Sequence, residues 1–465
     1  MSLPDPGIMH PGARLIDAST GAAAPLRPLV DAAADAYADD AARRAAAGRP
    51  TGIVLALTPT DVGGVVRYLG ALAARRPVAL LDPDLPPATV LELVNRFLPA
   101  LVTGVSGTTP GGYVAADLPG LGPVWSAVTD RGVTPHPDLA LLLTTSGSTG
   151  SPKLVRLSRD AVHANAEAIA RSLHIGPDDV APTTLPLFYT YGLSVLNSHL
   201  LRGATVVLER TGILQRPFWR AVGRHGITSL AAVPYQYEML RRLRFHPAEH
   251  PTLRNLTQAG GRLRTQLVTE FGTRMADVGG RLYVMYGQTE ATARMTVLPP
   301  ERLADKPASA GLPIPGGALS VSGDGEVVYH GRNTMMGYAE SALDLTRGDD
   351  LGGILHTGDL GHLDDEGFLF LTGRLKRIGK VFGVRVNLDD VERDLAPHGA
   401  VAAVAGDDRI HVFVEGADAS LARAVRSELA GKLATHVSGL DVRGLDRLPL
   451  LATGKVDYRT LERSV

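Results

Sequence analysis

The chain has 465 residues, room for about three units of ~150 residues each, and 45% of it is hydrophobic, which supplies a large core and excludes a disordered chain. Lys and Arg number 47 against 48 Asp and Glu, so a net charge of -1 gives no general attraction to nucleic acid or to acidic membrane. There is no cysteine, which excludes disulfides, thiolate metal sites and a cysteine nucleophile.

The first fifteen residues, MSLPDPGIMHPGARL, lack a basic stretch followed by an apolar core, and no apolar run approaches the ~20 residues of a membrane span. A cytoplasmic protein is therefore expected. The alanine-rich segment 31–47 predicts an exposed helix. Short apolar runs at 52–58, 77–82, 204–209, 229–234 and 281–287 predict buried strands. Segments 88–98 and 217–225 predict intervening helices, so the fold class is α/β.

The stretch LLLTTSGSTGSPKLV, residues 141–155, runs from apolar into small and hydroxylated residues. It predicts a strand, then a flexible loop, then a helix capped by Ser158 with Asp160 in its first turn. That helix carries Val162, Ala166, Ile169 and Leu173 on one face. Thr145, Ser146, Gly147, Ser148, Thr149, Gly150 and Lys153 supply backbone N–H groups, hydroxyls and a fixed cation, the chemistry of a phosphate cradle. The Walker spacing G-x-x-x-x-G-K-[ST] is not met, which argues against an ordinary ATP-hydrolysing P-loop. A Ser/Gly-rich surface linker is the plain alternative.

Four later stretches carry chemistry. YGQTE (286–290) follows a strand; Glu290 there can hold Mg²⁺ against a triphosphate and Tyr286 can stack on a base, or the stretch is a polar turn. HTGDLG (356–361) puts Asp359 where a carboxylate can accept both hydroxyls of a ribose, or simply in a turn. Arg374 can donate to the same ribose or to a phosphate. Lys455 lies in LPLLATGKVDYRTL on a glycine-marked loop, where the plain alternative is a surface lysine. From about 318 the texture changes to a hairpin turning at 323–325, the strand GFLFLTG and an α+β-like tail.

Taken in order, TTSGSTGSPK, YGQTE, HTGDLG, GRLKRIGK and LATGKVDY resemble the core motifs of the adenylate-forming superfamily: acyl-CoA synthetases, aryl-CoA ligases, luciferases and peptide-synthetase adenylation domains. PVALLDPDLP (77–86) and QAGGRL (258–263) add to the resemblance, which spans nearly the whole chain. It implies a large N-terminal domain of αβ subdomains and a β element over 1–374, and a small mobile α+β domain over 375–465. It implies that an acyl or aryl carboxylic acid attacks ATP to give acyl-AMP and pyrophosphate, and that a thiol of CoA or of carrier-protein phosphopantetheine then displaces AMP.

The resemblance assigns pyrophosphate to the 145–153 loop, Mg²⁺ to Glu290 and the α-phosphate region to Thr289 and Lys455. It assigns the ribose to Asp359 and Arg374, the nucleotide and acyl pocket to Gly260, Gly261, Tyr286 and Gly287, and the hinge to Lys376. The segment 185–194 departs from the family: Tyr189 stands where many members carry a histidine, and no aspartate waits for an ammonium between Leu185 and Asn197. Ordinary α-amino acids are disfavoured on that ground. Tyr189, Tyr191, Ser194 and Tyr235 are the candidate lining of a pocket for an acyl or aryl acid, with plain core packing as the alternative. The early arrival of the loop, at 144, suggests a trimmed N-terminal subdomain and makes a carrier-protein thiol a credible acceptor. Transfer to an amine, or a non-catalytic nucleotide binder, are the alternatives kept.

Overall fold

The computed structural model describes residues 7–465 except 145–152, 376, 383, 407–408 and 434. The chain divides into two compact units. The first takes residues 1–307, 313–318 and 330–355; the second takes 308–312, 319–329 and 356–465. The expected boundary at 374/375 lies inside the second unit.

Parallel strands Val54–Leu57, Val78–Leu81, Leu101–Thr103 and Leu139–Thr144 form the centre of an eight-stranded sheet in the first unit. Each is a short run buried on both faces, as parallel strands beneath crossover helices must be. The helices Val62–Ala73 and Pro87–Phe97 make those crossovers. The first is capped by Asp61, whose side chain accepts from the Gly64 N–H at 2.7 Å.

A second sheet holds Ser229–Ala232, Asn255–Gln258 and Arg281–Tyr286 in parallel, with Thr296–Leu298 antiparallel beside the last. A third pairs Arg14–Asp17, Thr205–Leu208 and Val180–Pro182. The α/β class and the five expected strands are therefore observed, each within two residues of its expected ends.

Two expectations need correction. The helix expected next after residues 145–153 is preceded by a further strand. Leu154–Ser158 is a strand that pairs antiparallel with Leu139–Thr144, and the helix Arg159–Ser172 starts only after it. Leu154, Val155 and Leu157 are fully buried, and so is Arg156, whose guanidinium donates to the carbonyls of Met336, Tyr338, Arg347 and Gly348. Ser158 does cap the helix, accepting from the Ala161 N–H at 3.0 Å.

The alanine-rich helix, Leu26–Ala46, is not wholly exposed either. It buries Val30, Ala33, Ala36 and Tyr37, and its Asp40 pairs with Arg76 at 2.9 Å. Its small side chains permit a close approach: a Cβ at Gly70 would stand 2.6 Å from that of Ala33.

In the second unit, Glu326–Gly331, Ile354–Leu363 and Leu369–Arg374 continue the sheet begun by Gly317–Val321, with the expected turn at 323–325. Asp359 and Arg374 are register partners. The tail packs helices Leu388–Leu395 and Ala419–Lys432 on strands Val401–Gly406, Arg409–Glu415 and Leu440–Leu445, around a core that includes Val412, Val414, Val425 and Leu429.

Candidate active site

Parallel strands deliver loops at their carboxyl ends, and the first unit uses three such ends. After Ser229–Ala232 come Val233 and Pro234; after Asn255–Gln258 come Gly260 and Gly261; after Arg281–Tyr286 comes Gly287. The first two ends are in close contact. Gly260 has φ +84°, and a Cβ there would lie 2.5 Å from the Tyr189 hydroxyl; at Gly261 it would lie 3.2 Å from Pro234. Both glycines keep the backbone near its neighbours without a side chain between them.

Thr289 opens a short 3₁₀ turn, Thr289–Ala291. Glu290 accepts a hydrogen bond from the Tyr338 hydroxyl at 2.8 Å. The same ring lies 5.7 Å from the Lys153 ammonium, which pairs with Glu340 at 2.6 Å. Tyr338 comes from Gly337–Ala339, the strand that pairs with Leu154–Ser158. A loop lysine and a loop carboxylate, 137 positions apart in sequence, thus meet on one tyrosine. Burial and the negative charge of Glu290 both push the Tyr338 hydroxyl pKa upward, so it stays a donor. Neither Tyr338 nor Glu340 was found from sequence, where YAES reads as an ordinary polar end of a strand. Residues 145–152, which hold the other expected phosphate ligands, lie outside the described residues, and Lys153 is described.

The backbone just past Glu290 is unusual. Thr292 has φ +64° and ψ −49°, and the Ala293 N–H closes a three-residue turn onto the Ala291 carbonyl at 2.7 Å. For a β-branched residue that conformation costs of order 1–3 kcal/mol. It is held from several sides. The Thr292 hydroxyl donates to Asn333 O at 2.7 Å, and Asn333 Nδ2 donates to Ala291 O at 2.9 Å and Arg294 O at 3.1 Å. Asn165 Nδ2 donates to Arg294 O at 2.9 Å, and the Thr190 hydroxyl donates to Thr292 O.

Of the candidate pocket residues, Tyr189, Tyr191 and Ser194 are buried, and Tyr235 is partly exposed on the helix Pro234–Arg242. The Tyr191 hydroxyl donates to Thr257 O at 2.9 Å. The Ser194 hydroxyl donates to Tyr191 O at 2.6 Å and accepts from Arg294. Arg294 itself was not found from sequence. A lone arginine eight residues past a strand gives no sign of burial.

The second unit carries the other named residues. Asp359 is buried and Arg374 Nε donates to it at 2.9 Å. Asp359 lies within the strand Ile354–Leu363 and not in the expected turn; beside it Gly358 takes φ +71° and its N–H donates to Glu326 at 2.8 Å. Lys455 lies in a tight loop: its carbonyl accepts from the Leu451 N–H at 2.8 Å, and Gly454 takes φ +76°. Leu448 and Leu461 are buried on either side of that loop. Tyr458 then ties it down, its hydroxyl 3.1 Å from both Glu392 oxygens and its ring 4.1 Å from the Arg377 guanidinium. Arg377 also pairs with Glu392 at 2.7 Å and with Asp389 at 3.1 Å. The chain from Arg377 onward is thus fastened to the same cluster as the Lys455 loop. Lys376 lies outside the described residues.

No group of three or more His, Cys, Asp or Glu side chains suited to a metal occurs among the described residues. Glu290 offers a single carboxylate, and Mg²⁺ is commonly held by one or two carboxylates together with substrate phosphates.

Residues 44–339 match the model of the AMP-binding enzyme family. The chain belongs to that family. Among the AMP-binding enzymes similar to it, the indoleacetate–CoA ligase of Aromatoleum aromaticum is 31% identical over 406 residues, covering 80% of this chain and 78% of that one. The L-proline–[L-prolyl-carrier protein] ligase of Streptomyces coelicolor is 30% identical over 443 residues, covering 87% and 82%. The o-succinylbenzoate coenzyme A synthetase of Bacillus subtilis, solved with ATP and magnesium ion, has a TM-score of 0.69 at 23% identity, over 93% of each chain. At that identity the likeness speaks for the fold, which is the mixed α/β arrangement with a smaller α+β unit.

Proposed function

We propose that this AMP-binding enzyme condenses an organic carboxylic acid with ATP, releasing pyrophosphate, and passes the acyl group of the acyl-AMP to a thiol. The observation that carries the reading is the meeting of Lys153 and Glu290 on Tyr338 at a loop-bearing sheet edge. Lys153 there takes charge from the departing pyrophosphate. Glu290 would hold Mg²⁺, which supplies charge neutralisation on the triphosphate when bound. Tyr338 keeps the two opposite charges at a set distance before substrate arrives. Asp359 and Arg374 take the ribose hydroxyls, and Thr289 and Lys455 take the charge that builds on the α-phosphate. The attacking carboxylate is already ionised and needs no base, so catalysis is positioning and electrostatics.

The acceptor is a thiol of CoA or of carrier-protein phosphopantetheine. Both kinds are represented by name among the relatives, and a carrier protein is the finer proposal. The segment 375–465 is proposed to rotate about Lys376 between the steps. The fastening of Arg377 to the Glu392–Tyr458 cluster supports a turning point just before it. No helix among the described residues is long and apolar enough to cross a membrane. The test is acid-dependent exchange of pyrophosphate into ATP. AMP should accumulate when a thiol acceptor is added. ADP as product, or turnover independent of any acid, would refute the reading.

A further inference from the structure

Arg294 is 2% exposed and stands in the core of the first unit. Its guanidinium lies 4.1 Å from the Tyr191 ring centre, and one Nη donates to the Ser194 hydroxyl. The buried Nε has no hydrogen-bond acceptor among the described residues. No carboxylate pairs with Arg294 among the described residues. A guanidinium carries five N–H donors and cannot shed its charge, so it is normally buried only where an anion meets it.

Arg294 lines a narrow crevice together with Asp179, Ser198, His199, Ser229 and Thr257. Asp179 is already engaged elsewhere. It pairs with Arg254 at 3.0 Å and accepts from the Thr228 hydroxyl and the Gly176 N–H, each at 2.9 Å. His199 is no counter-ion, since an imidazole is either neutral or cationic. The strained turn at Thr292 and its four clamping side chains hold the backbone that sends Arg294 inward. That backbone places a cation that no carboxylate among the described residues neutralises.

We propose that Arg294 is a specificity-determining residue: it pairs with an anionic group at the far end of the acid, so the preferred substrate is a dicarboxylic acid. Arg294 lies only five residues beyond Thr289, beneath Tyr191, so one molecule can present one carboxylate to the reacting loop and the other to Arg294. A second carboxylate accepts from two guanidinium nitrogens at once, including the idle Nε, and removes the unpaired charge. A hydroxyl or amide at that end satisfies a donor and leaves the charge. The inference deepens the acid-activating reading and rests on it.

The experiment is pyrophosphate exchange with matched acids: glutarate against glutaramate, and homophthalate against phenylacetate. Wild-type protein, Arg294→Met and Arg294→Lys are compared, each with a thermal melt. The diacid of at least one pair should be preferred by about 30-fold or more in kcat/KM, carried by KM. Arg294→Met should bring that ratio close to one, and Arg294→Lys should keep part of it. The Met variant should melt no lower than wild type, because it loses a buried unpaired charge. A wild-type preference for the amide or the monoacid in both pairs overturns the inference. So does an unchanged ratio in Arg294→Met, or a lower melting temperature with the ratio intact, which marks a purely structural arginine. If the Met variant does not fold, the wild-type ratios and the Lys variant decide. Exchange with the monoacids alone sinks the inference and leaves the acid-activating reading standing; exchange with no acid sinks both.

Discussion

Replacing Gly287 by alanine tests whether the YGQTE loop and the Thr292 turn behave as one unit. The new Cβ would stand 1.9 Å from Ala293 O, 2.7 Å from Arg294 Cα and 2.8 Å from Ala293 C. All three are backbone atoms and cannot swing aside. Ordinary contact begins near 3.4 Å, so the carbonyl must retreat by roughly 1.5 Å. That retreat weakens the bonds that Asn165 and Asn333 make to Arg294 O, at about 1 kcal/mol each. Overpacking adds about 1–3 kcal/mol, so the total is about 3–5 kcal/mol. The first unit has roughly 340 residues, and its unfolding entropy converts that loss into a fall of roughly 4–7 °C in melting temperature.

Gly223 is the control. It lies in the helix Arg216–His225 with nothing within 4 Å of an added Cβ, so Gly223→Ala should gain about 0.5–1 kcal/mol. Scanning calorimetry and pyrophosphate exchange are run on both variants. Gly287→Ala should lose stability and at least ~10-fold in exchange rate, because Glu290 and Arg294 move with the turn. A melting temperature equal to that of Gly223→Ala, with exchange intact, would show that the loop yields easily and is not braced.

Lys455→Ala should abolish acyl-adenylate formation and largely spare thioester formation from supplied acyl-AMP; equal loss of both half-reactions in a folded variant would contradict the assigned role. Glu290→Gln should raise the Mg²⁺ concentration needed for half-maximal exchange about 10-fold or more while the melting temperature holds, since Tyr338 can still donate to the amide oxygen. The pKa of His199 is lowered by burial, with its Nδ1–H donated to Val195 O at 2.8 Å. The unfolded chain binds a proton near pH 6.5 that the folded chain refuses, so this group's contribution is intact above that pH and is lost as pH falls below it. The slope is at most about 1.4 kcal/mol per pH unit, and His199→Asn should flatten the urea-measured stability curve between pH 5 and 6.5 by about that amount.

What sequence could show depended on whether the deciding partner was local. The strands at 54–57, 78–81, 205–208, 229–232 and 281–286 are buried runs bounded by turn residues, and their composition alone marks them. Ser158 was legible as a cap because a cap acts on a backbone N–H three residues away. The strand Leu154–Ser158 was missed because Arg156 breaks its apolar run, and the groups that satisfy Arg156 lie 180 or more positions onward. The same holds at the site. Lys153, Glu290, Asp359 and Lys455 sit in stretches whose residue types mark them, whereas Tyr338, Glu340 and Arg294 are marked only by what surrounds them in space.

Two buried arginines in the first unit separate structural from ligand-directed charge, and the contrast can be measured. Arg156 has no side-chain exposure and is fully provided for: four carbonyls accept from it and Asp350 pairs with it. Removing it leaves those carbonyls and a carboxylate without their partner, so Arg156→Met should cost about 3–5 kcal/mol. Arg294, equally enclosed, has two hydroxyls and a ring face. Its removal takes a donor from the Ser194 and Tyr191 hydroxyls, and each still has a bond of its own, Ser194 to Tyr191 O and Tyr191 to Thr257 O. Arg294→Met should therefore match or exceed wild-type stability in the same urea titration. If both variants lost stability alike, Arg294 would belong with Arg156 as a packing charge. If only Arg156→Met does, the unmet charge of Arg294 is kept for something the folded chain alone does not contain.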